Sequence, residues 1–360
     1  MMEKSETLPD ISEDIWDCLR RESRPLVVYG TGDGAEKLIT RLYNLRLRPS
    51  AVFASDGFVR DRSFLHYRVE SFSEICTRWK EFVILLAFGT SRPEVLRRIY
   101  DMADRYPLWM PDLPMVGEEY FTASFYRRHR TELEQVYALL ADELSRQIFL
   151  SVIRYKLTGD IRHLREGCCS EEACYACLRS RPIRLAIDGG AYNGDTVYRL
   201  FCYRPEVEEV LAVEADRRNY NKLERYAASD PEHITAFYGV LWRHTGTGMF
   251  GASGNRNASM YGGSYGACSE EVPLLTVDGL AVGRHVDYIK YDIEGAEAEA
   301  LYGSRRTIQN DRPMLAVSVY HRSEDLFRIP LLLHDWNPSY RFRLRRTECL
   351  PAWEITLYAT

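Results

Sequence analysis

The sequence predicts an α/β protein made of two successive β/α units, the second closed by an antiparallel hairpin. Three observations carry that reading. A short β-rich run, a glycine turn and a helical segment follow one another twice, at 25–42 and again from 183. Between and after these openings, short apolar runs alternate with segments of helical spacing, the pattern of parallel strands joined by crossover helices. The last two apolar runs, 340–346 and 353–358, are separated by a turn containing Pro351 that is too short for a crossover helix, so they pair antiparallel. At 360 residues the chain exceeds the size at which one core usually stops growing, about 250 residues, so two domains are expected.

In chain order, the run 25–30 ends in Gly30-Thr31-Gly32-Asp33-Gly34-Ala35 and passes into the helical 36–42. A second strand is read at 50–54, ending at Ser55-Asp56, and a third at 82–88, followed by helix over 92–100. Pro107, Pro111 and Pro114 then break the alternation, which puts the end of a Rossmann-like N-terminal domain at 115. Residues 116–182 read as a helical connector, with Leu133, Val136, Tyr137, Leu140, Leu144 and Ile148 at three- and four-residue spacing. From 183 to 360 a second series predicts strands at 183–187, 209–213, 235–238, 286–293 and 314–320, then the hairpin. The glycine-rich 246–266, with Asn255, Asn257, Ser259 and Tyr261, is expected to be a mobile loop over an acceptor site.

Composition narrows the class. With 46% hydrophobic, 28% charged and 12% aromatic residues the chain has the balance of a globular protein. A net charge of -5 gives no general attraction to polyanions, so no nucleic-acid partner is expected, although the arginine-rich 341–346 is read as a local basic patch. The longest apolar stretch, 82–88, is far below the roughly 20 residues needed to cross a bilayer. The first residues are acidic and polar where a secretory signal is basic and then apolar, and nine scattered cysteines fit free thiols, so the expected location is the cytoplasm. Cys168, Cys169, Cys174 and Cys177 do not form two Cys-x-x-Cys units and are read as connector thiols; no metal ligands are assigned.

The cofactor signal lies in Asp188-Gly189-Gly190-Ala191-Tyr192-Asn193-Gly194-Asp195-Thr196. Glycines let backbone approach a ligand, and the helix that follows presents free N–H groups to an anion. S-adenosyl-L-methionine (SAM) suits this turn. Its carboxylate needs donors and its sulfonium favours nearby acids, here Asp188 and Asp195, whereas a pyrophosphate gains nothing from two acids. Glu214, followed by Ala215 at the end of the next strand, is placed to accept hydrogen bonds from both ribose hydroxyls, a feature SAM and NAD sites share.

Ligands of α/β sheets sit at the carboxyl ends of strands. The strand 286–293 runs out through Lys290, Asp292 and Glu294, which alternation puts on one face, and the next strand ends at His321. O-methylation requires removal of a hydroxyl proton. The candidate base is His321, whose ordinary pKa of about 6.5 suits the task, or Asp292, with Lys290 and Glu294 beside them.

At these residues the chain resembles the FkbM family of methyltransferases. The resemblance is carried by the motif 187–196, by Val213-Glu214-Ala215-Asp216, by Lys290-Tyr291-Asp292-Ile293-Glu294-Gly295-Ala296-Glu297, and by Arg312-Pro313 with Tyr320-His321. It implies a class I SAM methyltransferase fold, SAM as cofactor, and O-methylation of a small-molecule or glycan acceptor such as a sugar or secondary metabolite. Where the family has Glu-Pro this chain has Glu214-Ala215, which alters the loop and keeps the acid. The connector residues 140–145 and 156–160 are similar to longer members with an extra N-terminal domain.

Two other readings stay open. The 30–35 turn with Asp56 after the next strand is similar to a dinucleotide fingerprint, so the N-terminal domain is expected either to bind a nucleotide or nucleotide-sugar or to act as a docking module. The whole chain is then an NAD(P)-dependent oxidoreductase using that domain, or a non-catalytic SAM-fold scaffold.

Overall fold

The computed structural model describes residues 7–58, 63–252 and 268–360. Its first sheet is built from β1 (Leu26–Tyr29), β2 (Ala51–Ala54), β3 (Ser63–Phe64), β4 (Tyr67–Ser71), β5 (Val83–Leu86) and β6 (Leu108–Trp109), in the order β3-β4-β2-β1-β5-β6. β1, β2 and β5 are buried along their whole length. That is why they read as unbroken apolar runs: helices cover both faces of a parallel sheet. The short β3–β4 hairpin and β6 lie at the two edges and have no comparable apolar signature.

The second sheet contains β7 (Leu185–Gly189), β8 (Glu209–Glu214) and β9 (Ile234–Tyr238). A small three-stranded sheet follows, made of β10 (Val240–Leu241), β11 (Gly246–Ala252) and β12 (Cys268–Leu275). The second sheet then resumes with β13 (Tyr288–Tyr291), β14 (Met314–Ser318), β15 (Phe342–Arg346) and β16 (Ile355–Ala359). Its order is β15-β16-β14-β13-β7-β8-β9. β13, β14, β7, β8 and β9 are parallel, whereas β16 pairs antiparallel with both β14 and β15. This is the class I methyltransferase arrangement, a parallel sheet closed by an antiparallel hairpin, preceded by a smaller Rossmann-like α/β sheet.

One expectation changes here. Gly246–Ala252, read as loop, is a strand paired antiparallel with Cys268–Leu275. Its glycines hide a strand whose pairing partner lies beyond a long insertion. Asn255, Asn257, Ser259 and Tyr261 fall outside the described residues.

The connector packs against both sheets. Its long helix Glu143–Thr158 is buried at ten positions because it lies against β15 while its end meets the residue after β6, through Met110 N–H to the Gly159 carbonyl at 2.7 Å. Lys156 and Asp112, both buried, form a 2.9 Å ion pair across that contact. One continuous hydrophobic cluster includes Tyr29 and Phe53 of the first sheet, Phe149 of the connector and Ile289 and Leu357 of the second.

The arginine-rich 341–346 is not a basic patch. Arg346 is fully buried and donates to the carbonyls of Leu164, Gly167 and Cys349, while Arg345 pairs with Asp142 at 2.7 Å. As neighbours on β15 the two side chains point to opposite faces, and the connector covers both, with Asp142 meeting Arg345 and the Leu164 and Gly167 carbonyls meeting Arg346. Among the described residues no helix is long and apolar enough to cross a membrane.

Candidate active site

The carboxyl ends of β7, β8, β13 and β14 open into one cavity of about 360 Å³. The turn after β7 supplies Gly190, Tyr192, Asp195 and Thr196 to its wall. Two backbone N–H groups of that turn, Gly190 and Ala191, donate to the Val213 carbonyl of β8 at 3.0 Å each. Gly190 has φ +76°, and a Cβ there would overlap the Asp292 carbonyl oxygen, so only glycine lets this turn approach the strand beside it. The helix Asp195–Tyr203 starts directly after the turn, with its N-terminus toward the cavity wall.

Asp188 sits behind the turn, 4% exposed. Its carboxylate accepts from Thr196 Oγ1 and from Lys290 Nζ at 3.1 Å, and Lys290 also donates to the Gly190 carbonyl at 3.2 Å. Burial disfavours the Lys290 charge, but Asp188 and Asp292 outweigh it and raise the ammonium above its ordinary value. Lys290 and Asp188 therefore brace the turn from below, without lining the cavity. Asn193 accepts from Asp195 N–H at 3.2 Å and closes the turn locally.

Glu214 lines the cavity at the end of β8. One carboxylate oxygen accepts from Tyr192 N–H and the other from Asp216 N–H, both at 2.8 Å. Burial pushes this carboxyl up to about 7, against the lowering effect of those two bonds. Each oxygen keeps a lone pair for a further donor. Ala215 lines the wall next to it.

After β13 the chain turns sharply through Glu294, which has φ +54°. Asp292 and Glu294 both line the cavity. Asp292 accepts from Ser318 Oγ at 2.8 Å and Tyr320 OH at 3.3 Å. Its burial raises the pKa, yet Lys290 and His321 overcome this and hold it below the ordinary carboxylate range. Glu294 goes the other way: burial raises it, with His321 only partly offsetting.

His321 does not reach the cavity. Its ring is fully buried, with Nδ1 3.0 Å from Glu297 and Nε2 3.4 Å from Glu294 and 3.9 Å from Asp292. Burial opposes its charge, but Glu297 and Glu294 prevail and raise it well above 6.5. Of the residues expected at this edge, Asp292 and Glu294 therefore line the cavity and His321 stands behind them. The ligand atoms of Asp292, Glu297 and His321 lie within 4.8 Å of one another, a spacing that also suits a metal ion.

Comparison with known proteins adds the family. Residues 188–344 match the model of the methyltransferase FkbM domain. Residues 188–344 form a methyltransferase domain of the FkbM family. The solved structure of methyltransferase FkbM from Methylobacillus flagellatus shares 20% identity over 98% of this chain and 94% of its own, with a TM-score of 0.70, so the same fold runs through both sheets. A precorrin-6y C5,15-methyltransferase from Geobacter metallireducens (11% identity, 52% of this chain, 86% of that one, TM-score 0.34) and Aeropyrum pernix fibrillarin (11%, 52%, 74%, 0.32) resemble it more distantly. No curated protein matches the chain significantly.

Several residues of this cavity had no role assigned from the sequence. Asp216, 3% exposed, caps the helix Arg217–Ala227 through Arg218 and Asn219 N–H at 3.0 Å each and lines the cavity with Asn219. The signal was available as an Asp ahead of a helical run. Glu297 holds the turn by accepting from Ile293 N–H at 2.9 Å. Ser91, Met115, Thr347, Trp353 and Glu354, from distant parts of the chain, complete the wall, and no local pattern announces them.

Cys169 and Cys174 lie 3.8 Å apart, Sγ to Sγ; a hydrogen bond from Cys174 lowers the Cys169 thiol, while the same contact raises Cys174. In the N-terminal sheet, Asp56 accepts from Phe72 N–H at 3.1 Å.

Proposed function

We propose that this chain is a SAM-dependent O-methyltransferase acting on a hydroxyl of a sugar, glycan or secondary metabolite. The supporting observation is that the glycine turn, Glu214 and the Asp292–Glu294 edge face one cavity. The donor set fits SAM. The N-terminal turn of the helix Asp195–Tyr203 suits its carboxylate, Glu214 suits the ribose, and Asp195 in the cavity wall suits a sulfonium. When bound, SAM supplies an activated methyl group on a positively charged sulfur. In this reading residues 183–360 are the catalytic domain, 116–182 the connector and 1–115 an accessory domain, and the protein works in the cytoplasm.

The chain's own task is to hold the acceptor hydroxyl and remove its proton. Glu294 is the better base of the two cavity carboxylates, because its raised pKa lies nearer neutrality while Lys290 and His321 hold Asp292 down. Asp292, tied to Ser318 and Tyr320, orients the hydroxyl. His321 and Lys290 are positioning residues: the first anchors Glu294 and Glu297, the second fixes the turn.

Titration calorimetry with SAM, S-adenosylhomocysteine and NAD(H), on the wild type and Glu214→Ala, tests the assignment. The expected result is one SAM site per chain, weakened by the substitution. Binding of NAD(H) alone, indifferent to Glu214, would move the chemistry to the N-terminal sheet and refute the proposal. Tight SAM binding without turnover on any hydroxyl acceptor would favour a scaffold.

A further inference from the structure

At the carboxyl edge of the first sheet an aromatic cluster lies beneath exposed turns at Gly32, Asp56 and Gly89. Tyr29 stacks on Phe53 at 4.5 Å, and Phe88, leaving β5, packs edge-on against Tyr29 at 4.9 Å. From there the chain continues as Gly89-Thr90-Ser91 to the methyltransferase cavity, which Ser91 lines together with Trp353 and Glu354.

The two loops are fastened together. Thr90 N–H donates to the Leu350 carbonyl at 2.7 Å and Leu350 N–H donates back to Thr90 at 2.9 Å. Trp353 packs its six-membered ring so closely on Gly89 that a Cβ there would overlap it. Met115 completes the wall, and the next residue, Val116, donates its N–H to the His321 carbonyl at 3.1 Å and packs on Gly295. The wall is thus tied to the turn that carries Glu294.

We infer that Ser91, Trp353 and Glu354 form the acceptor-selecting wall of the cavity, that the first sheet exists to hold it, and that it takes an uncharged polyhydroxylated ring. The inference rests on the SAM-methyltransferase reading above. An indole offers an apolar surface for ring C–H groups, while the Ser91 hydroxyl and Glu354 carboxylate engage ring hydroxyls. Arg199, the one arginine of the lining among the described residues, is engaged by Glu171 and Asp195, so Asp292, Glu294 and Glu354 on the same cavity repel an anionic acceptor.

Saturation-transfer NMR on the full chain loaded with S-adenosylhomocysteine, using a panel of neutral methyl hexopyranosides and the matching uronates, tests it. The expected result is transfer to neutral glycosides and not to uronates. Trp353→Ala and Gly89→Ala should each weaken that binding by about tenfold, the scale of an aromatic contact, with S-adenosylhomocysteine affinity unchanged. Ser91→Ala, a milder change certain to keep the packing, should weaken it less. Transfer to no glycoside, equal transfer to uronates, or wild-type glycoside binding in both Trp353→Ala and Gly89→Ala overturns the inference and leaves the cofactor reading intact. Failure of S-adenosylhomocysteine to bind the wild type removes the cofactor reading, and this inference with it.

Discussion

Glu214 couples cofactor binding to pH in a way that Glu214→Gln should abolish. Burial pushes its folded pKa up to about 7. Ribose hydroxyls donate to the carboxylate and so favour its ionised form. Between pH 8 and pH 6 the ionised fraction falls from about nine-tenths to about one-tenth, so the dissociation constant of S-adenosylhomocysteine should rise about tenfold, or about 1.4 kcal/mol. Below pH 7 binding should release close to one proton, visible as a buffer-dependent heat in titration calorimetry.

The sign for the ligand-free protein is opposite. A carboxyl whose folded pKa is raised contributes stability that is complete below about pH 4.5 and lost as pH rises through 7, an effect of about 3 kcal/mol. Glu214→Gln should therefore remove this pH dependence of apo stability while weakening the cofactor about 100-fold, on the order of the loss of charge-assisted bonds, with no remaining pH dependence of binding. Equal affinity at pH 6 and pH 8 in the wild type, with no proton released, would refute the reasoning.

Two further outcomes are expected. Gly190→Ala should cost several kcal/mol, on the order of 3 or more, since φ +76° and the Asp292 carbonyl leave no room for a methyl; thermal melting measures it, and a wild-type melting temperature would contradict the turn geometry. His321→Gln should destabilise by about 3–5 kcal/mol at pH 6 by leaving Glu297 and Glu294 buried without their cation, and by less at high pH, because stability from a raised histidine is complete below 6.5 and fades as pH rises through its folded pKa; urea titrations at two pH values read the difference, and an equal loss at both would disprove the charged ring.

The parts of this protein legible in the sequence are those set by short stretches of chain. Buried parallel strands must be apolar throughout, a turn that touches a neighbouring strand must contain glycine, and an acid at a strand end lies where the strand ends; hence the two sheets, the 188–196 turn and Glu214 could be placed from spacing alone. Burial and opposition across the fold are not properties of a stretch. Only the tertiary structure decided that Arg345 and Arg346 are buried against the connector, that Gly246–Ala252 is a strand, and that His321 lies behind the cavity among carboxylates while Glu294 lines it. The same holds for Ser91 and Trp353, which share a wall although most of the chain lies between them, because the packing of one sheet's loop on the other's hairpin depends on every element that separates them.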